Sequence, residues 1–230
     1  MERKVIITKD GSHSIAIPEM DVTYHSIHGA IQESMHVFIE AGFNRSGRLE
    51  RPDRYIILEI GFGTGLNALL TLIEAEKHKQ PVLYIAIELF PLSVDEAARL
   101  NYCGQLDHTD CQPLFEKLHQ CEWEMDITIT NYFTLHKTKI NLINFSTSQL
   151  FNLIYFDAFA PNAQPELWTK EIFEKLYNVM VPEGILVTYC SKGDVRRAMQ
   201  GAGFVVEKLA GPKGKREMLR ASRSSIVTSR

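Results

Sequence analysis

Residues 56–67 read Ile56-Ile57-Leu58-Glu59-Ile60-Gly61-Phe62-Gly63-Thr64-Gly65-Leu66-Asn67. An apolar run rich in β-branched residues stops at a glycine-rich turn, and a helical pattern starts straight after it. Such a run is a strand buried on both faces. Its glycines let the backbone turn tightly and approach a ligand with no Cβ in the way. The helix that follows aims its first N–H groups at whatever occupies the turn. A strand–turn–helix of this kind is a nucleotide or nucleoside site in an α/β sheet, and it constrains the fold of everything around it.

The spacing narrows the ligand. A phosphate-gripping loop needs Gly-Lys-Ser/Thr, and no Lys is present. The dinucleotide fingerprint Gly-x-Gly-x-x-Gly would place its third glycine where Leu66 stands. Downstream, Val82-Leu83-Tyr84-Ile85-Ala86-Ile87-Glu88 is a second apolar strand ending in an acid. A carboxylate at that strand tip is placed to accept hydrogen bonds from both hydroxyls of a ribose. A glycine turn and an acid, with no phosphate-binding residue, fit S-adenosylmethionine better than NAD. The alternative is a packing turn beside a solvated Glu, and it leaves the agreement of two independent features unexplained.

A chain of 230 residues is long enough to bury a core. No stretch approaches the roughly 20 apolar residues of a membrane span, and Met1-Glu2-Arg3-Lys4 opens no signal-peptide core. Cys103, Cys111, Cys121 and Cys190 form no Cys-x-x-Cys pair, which reads as reduced thiols in a cytoplasmic protein. Charge is unevenly spread. Residues 192–230 carry ten Lys/Arg against three acids, whereas residues 1–191 carry fifteen against twenty-five. A basic C-terminal part of this kind points to an anionic partner, or to solubilising decoration.

Alternating β and α patterns predict an α/β fold: a doubly wound, mostly parallel, Rossmann-like sheet closed by an antiparallel hairpin. The expected organisation is an N-terminal hairpin and helix over 1–54 that caps the pocket, a main domain over 55–222, and a flexible tail over 223–230. Within it, Ala30–Ala41 reads as a helix stopped by Gly42, Trp123–Leu135 as a hairpin, and Ile140–Asn144 as the third strand. Strand four, Leu153-Ile154-Tyr155-Phe156-Asp157, ends in a second acid. A carboxylate there is too costly to leave unpaired in a core, so it caps, binds or reacts. The loop after it, Ala158-Phe159-Ala160-Pro161-Asn162-Ala163-Gln164-Pro165, is stiffened by two prolines and suits a pocket wall, with Phe159 and Pro161 as candidate contacts.

Taken together, GFGTGLN, FDAFAP followed by PELW, TYCSKGDVRRAM, the AGF step and KREML resemble the methyltransferase domain of the tRNA 5-methylaminomethyl-2-thiouridine biosynthesis proteins, over about residues 20–221. The resemblance implies a class I S-adenosylmethionine-dependent fold. It also implies methyl transfer to the aminomethyl nitrogen of a wobble uridine in the tRNA anticodon stem-loop. Many members carry a further FAD-dependent domain that frees the amine. No second glycine-rich unit follows KREML, so methyl transfer alone is expected. Cofactor contacts are expected from Glu59, Gly61, Phe62, Gly63, Thr64, Gly65, Asn67, Glu88 and Asp157. Many relatives place an acid near the adenine; here Asn144 and Ser146 stand in that stretch and are the candidates to replace it.

Asp157 is the candidate catalytic group, orienting the amine and accepting or relaying its proton. The segment Tyr24–Glu33 matches the family region before the glycine turn, which makes Tyr24 and Glu33 candidates for lining the pocket. Lys192, Arg196 and Arg197 at a helix start, with Lys213, Lys215 and Arg216 in the last hairpin turn, are the expected phosphate contacts. His25 and His28 have no carboxylate or thiol at metal-ligand spacing, so no metal is expected. Three rival readings stand beside this one: covalent attack on the base by Cys190, aminopropyl transfer to a small amine, and a non-catalytic nucleoside-binding module.

Overall fold

The computed structural model describes residues 2–46 and 52–225. Three short strands, β1 (Lys4–Ile7), β2 (His13–Ile17) and β3 (Val22–Thr23), pair antiparallel in a small N-terminal sheet. A helical run follows, made of α1 (Ala30–Ser34), a π-helical stretch (Met35–Phe43) and a last turn, α2 (Asn44–Ser46). Gly42 does not stop this helix. A Cβ there would lie 3.2 Å from both Tyr155 Cε1 and Val187 Cγ2, so the glycine lets the helix sit close against the main sheet.

The main sheet starts with β4 (Tyr55–Ile60), α3 (Leu66–His78) and β5 (Val82–Ile87). The short helices α4 (Val94–Ala97) and α5 (Tyr102–Gln105) lead to α6 (Gln112–Gln120). Then come β6 (Asp126–Thr128), β7 (Phe133–Thr138), β8 (Phe151–Phe156), α7 (Lys170–Asn178), β9 (Met180–Thr188) and α8 (Gly193–Gly201). The hairpin β10 (Val205–Ala210) and β11 (Glu217–Ser222) closes it. The spatial order is β6-β7-β5-β4-β8-β9-β11-β10. Strands β7, β5, β4, β8 and β9 are mutually parallel, while β6 and β11 run against their neighbours. This is the expected Rossmann-like sheet with its terminal antiparallel hairpin.

The third parallel strand is Phe133–Thr138, not Ile140–Asn144. Asn141 caps a 3-10 turn over Leu142–Asn144 by accepting from the Ile143 amide, and this ends the extended run. The hairpin expected over Trp123–Leu135 is the β6–β7 pair, which lies further along the chain. Apolar strands buried on both faces divide the core in two. Phe38, Tyr84, Phe115, Phe133 and Tyr155 pack on one side, and Phe151, Phe156, Trp168 and Phe173 on the other. The parallel strands therefore end together at one rim, where their carboxyl ends form the site. Among the described residues no helix is long and apolar enough to cross a membrane.

Candidate active site

Three glycines with positive φ build the turn after β4: Gly61 at 92°, Gly63 at 49° and Gly65 at 73°. A Cβ on Gly61 would lie 2.9 Å from the Asp157 carbonyl, and one on Gly63 would lie 2.9 Å from Tyr24 Cδ1. The turn thus runs between the end of β8 and the N-terminal sheet with no room for a side chain. Gly65 caps α3 without a side-chain partner, which leaves the first helical turn open toward the rim.

A cleft of about 390 Å³ opens over this turn. Gly61, Phe62, Gly63, Thr64, Asn67, Glu88 and Asp157 line it as expected, as do Tyr24 and Phe159. Glu88 accepts hydrogen bonds from the Gly63 amide (3.0 Å) and the Phe90 amide (2.8 Å), which fixes its carboxylate at the tip of β5. Tyr24 and Phe159, both in the lining, meet edge to face at 5.1 Å. Arg3 secures the N-terminal sheet over the site by donating to the carbonyls of Phe90 (2.6 Å) and Pro91 (3.2 Å) and to Glu96 (3.2 Å).

Beneath the cleft lies a carboxylate pair. The Asn67 Nδ2 amide donates to Glu59 Oε1 at 3.0 Å and to Asp157 Oδ2 at 2.8 Å. Glu59 is fully buried and lies behind the cleft rather than in its lining, so its part is to hold Asn67. Burial pushes the Glu59 carboxyl well above the usual range, and the charge of Asp157 adds to this; the Asn67 bond opposes it. Asp157 is likewise raised, by burial and then by the charge of Glu33, with Asn67 and Lys215 opposing. Asp157 therefore faces the cleft as a carboxyl with raised proton affinity.

Two histidines brace the turn. His25 Nε2 lies 2.6 Å from Thr64 Oγ1, and His119 Nε2 donates to the Thr64 carbonyl at 3.1 Å. Burial lowers both imidazoles to about 4, which keeps them neutral. No group of His, Cys, Asp and Glu among the described residues is arranged to hold a metal.

Several expected residues lie elsewhere. Asn144 and Ser146 are exposed outside the lining because the strand ends at Thr138 and the chain turns over Leu142–Asn144; Ile140, Asn141 and Leu142 form that wall instead. Gly65, the cap of α3, and Pro161, at the start of the turn over 161–163, also lie outside the lining. Among the expected phosphate contacts, Arg197 pairs with Asp194, and Lys192 donates to Asn162 at 2.5 Å. Lys213 and Arg216 are exposed and Arg196 half-buried. Lys215 points inward and pairs with Glu33, so neither of the two is an open pocket contact. Cys190 is buried, and burial pushes its thiol up, against the thiolate that covalent attack on a base requires. Residues 226–230 of the expected tail lie outside the described residues; Arg223, at its start, donates to the carbonyls of Tyr177 and Met180. Two lining residues carry no such expectation: Arg3, whose partners lie 87 to 93 residues along the chain, and Asn141, a local cap of the turn at Leu142–Asn144.

Comparison with known proteins places this site. A sequence model of the S-adenosyl-L-methionine-dependent methyltransferase family matches residues 107–224, just over half of the chain. The solved structure of MnmC2 from Aquifex aeolicus superposes with a TM-score of 0.79 at 23% identity, covering 97% of this chain and 71% of that one. The N-methyltransferase NodS from Bradyrhizobium japonicum follows at TM-score 0.44 and 16% identity, over 74% of this chain and 86% of that one. The amino pentose methyltransferase CalS10 from Micromonospora echinaspora, solved with S-adenosylmethionine bound, gives 0.45 and 12%, over 79% of this chain and 89% of that one. The cleft fits the cofactor that the family model implies. Its glycine turn packs too closely on Asp157, Tyr24 and His119 to admit a Cβ, which leaves bare backbone facing the cleft, and Glu88 offers a fixed acceptor to a ribose. Its volume falls within the roughly 300–1,000 Å³ of small-molecule sites. By sequence, by sheet order and by the chemistry of this cleft, the chain belongs to the S-adenosyl-L-methionine-dependent methyltransferase family.

Proposed function

We propose that this chain methylates the primary amine of 5-aminomethyl(-2-thio)uridine at the wobble position of tRNA, giving 5-methylaminomethyl(-2-thio)uridine. The observation that carries this reading is Asp157: a raised-affinity carboxyl held at the cleft wall by Asn67, next to the glycine turn. When bound, S-adenosylmethionine supplies a methyl group already activated on a sulfonium. The chain's own task is to present a neutral nitrogen to it in line.

A primary alkylamine has a pKa near that of Lys, about 10.4, and is protonated at neutral pH. It must give up a proton before it can react. Asp157 in its ionised form accepts that proton, and its raised affinity makes the transfer easier than to a solvated carboxylate. The edge-to-face rings of Tyr24 and Phe159 line the cleft, where a splayed-out base would enter. Lys213 and Arg216, exposed in the hairpin turn, supply positive charge for anticodon-stem phosphates, and half-buried Arg196 on α8 adds to it. This substrate places the reaction in the cytoplasm.

The test is Asp157→Asn. Its amide oxygen can still accept from Asn67, so the fold should hold. Turnover on tRNA bearing the aminomethyl group should fall about 10²–10⁴-fold, the usual worth of a positioned base. Near-normal turnover would remove Asp157 from the chemistry.

A further inference from the structure

Lys215 lies on the turn between β10 and β11 among exposed cations, yet its side chain runs inward. Its Nζ donates to Glu33 Oε2 at 2.5 Å and sits 4.0 Å from the centroid of the Tyr189 ring. Each partner is fixed independently of it. Glu33 belongs to α1, its side chain is only 8% exposed, and its other oxygen accepts from the Ser26 amide at 3.0 Å. Tyr189 follows β9 and donates to the carbonyl of Ala158, the cleft residue next to Asp157, at 2.8 Å.

An anchored carboxylate beside the face of an aromatic ring recognises a primary ammonium, through a charge-assisted hydrogen bond and a cation–π contact. Tyr189 ties this ammonium to the backbone next to Asp157, whose proton affinity the charges of Glu33 and Lys215 shift in opposite directions. The head group held there, CH2–NH3⁺, is the same one an aminomethyl substituent carries. The backbone of the turn is fixed, because a Cβ on Gly214 would collide with the His28 ring at 2.2 Å. The Lys215 side chain is itself 31% exposed, so its stem already reaches solvent from that fixed backbone. A buried carboxylate left without a cation is costly, so Lys215 leaves only when another cation takes its place.

We propose that Glu33 and the face of Tyr189, beside Asp157, form the subsite for the substrate's primary ammonium, and that Lys215 fills this subsite until the substrate displaces it. The assignment rests on the amine-methylating function proposed above and adds to it a binding residue, Glu33, and a built-in competitor. Incoming phosphates would draw Lys215 outward as the amine enters, so that intact tRNA opens the subsite more readily than a free nucleoside does.

The test is calorimetric titration of the full chain, saturated with S-adenosylhomocysteine, with three probes: 5-aminomethyluridine, uridine and n-butylammonium. Lys215→Gln, which keeps a donor to Glu33, and Lys215→Ala are compared with wild type, and thermal melts identify the variants that fold. A site about 90% filled by its own side chain binds a competitor about tenfold too weakly. Both amines should therefore bind about tenfold more tightly to the folded Lys215 variants, uridine should not change, and adding Glu33→Gln should erase the gain. Equal or weaker butylammonium binding, or a gain that survives Glu33→Gln, would mean that Lys215 and Glu33 are a structural tether and would overturn the proposal. Tighter butylammonium without tighter 5-aminomethyluridine would uphold the ammonium subsite and count against the nucleoside instead.

Discussion

Replacing Asn67 with Ala removes one amide that serves two buried carboxyls, Glu59 at 3.0 Å and Asp157 at 2.8 Å. Hydrogen bonds to charged groups contribute about 1.5–3 kcal/mol each. Two bonds from one nitrogen, with some relaxation after the change, make about 3 kcal/mol a fair expectation. At roughly 2–4 °C per kcal/mol for a chain of this size, the melting temperature should fall by about 6–12 °C. The pH dependence is the sharper test. Glu59 and Asp157 both hold their protons more tightly in the folded chain than in the unfolded one, where the values are 4.5 and 3.8. The folded state therefore binds more protons, and the contribution of these groups is greatest at low pH and declines as pH rises. Asn67 favours the ionised forms, so its loss should cost more as ionisation proceeds. The gap in melting temperature between wild type and Asn67→Ala should widen from pH 5 to pH 8 in scanning calorimetry. A gap that is constant with pH, or a variant as stable as wild type, would refute the account of the bridged pair.

Four further outcomes are expected. Gly63→Ala forces an L side chain into a φ of 49° and against Tyr24, so S-adenosylhomocysteine affinity measured by calorimetry should fall more than about tenfold, from a left-handed cost of roughly 1–2 kcal/mol plus the displaced ring. Glu88→Ala removes the fixed acceptor at the β5 tip and should weaken the same ligand by about tenfold, the worth of roughly one charge-assisted hydrogen bond. His25 and His119 are held near 4 when folded against 6.5 unfolded, so the unfolded chain takes up their protons first; stability should drain away as pH falls from 6.5 toward 4, by roughly 3 kcal/mol for each, and His119→Phe should flatten that decline in urea melts. Lys213→Glu with Arg216→Glu should weaken tRNA binding and reduce its salt slope while leaving cofactor affinity in place.

The elements whose signal is local were legible in the sequence. The apolar runs of β4, β5 and β8, the glycine turn and the acids at Glu88 and Asp157 are read from neighbours along the chain, and each stands where it was expected. The third strand was misplaced because Phe-Thr-Leu-His-Lys-Thr hides its buried Lys137 among polar residues. That ammonium is satisfied by the Leu118 and His119 carbonyls and by the ring of Trp123, partners that no local pattern reveals. Gly42 reads as a helix stop by propensity, but its value is the close approach to β8 and β9. Lys215 shows the same limit at the site. In sequence it is one cation in a basic turn, and only the docking of that turn on the loop at His28 brings it to Glu33, 182 residues away.

The most direct test of the proposed activity is nucleoside mass spectrometry. The purified chain is incubated with S-adenosylmethionine and tRNA carrying 5-aminomethyl(-2-thio)uridine, and the RNA is then digested. The expected result is a gain of one methyl group on that nucleoside, absent when the tRNA still carries the carboxymethyl group. No gain from a protein that binds S-adenosylhomocysteine would contradict the proposed substrate and leave the methyltransferase fold seeking a different amine.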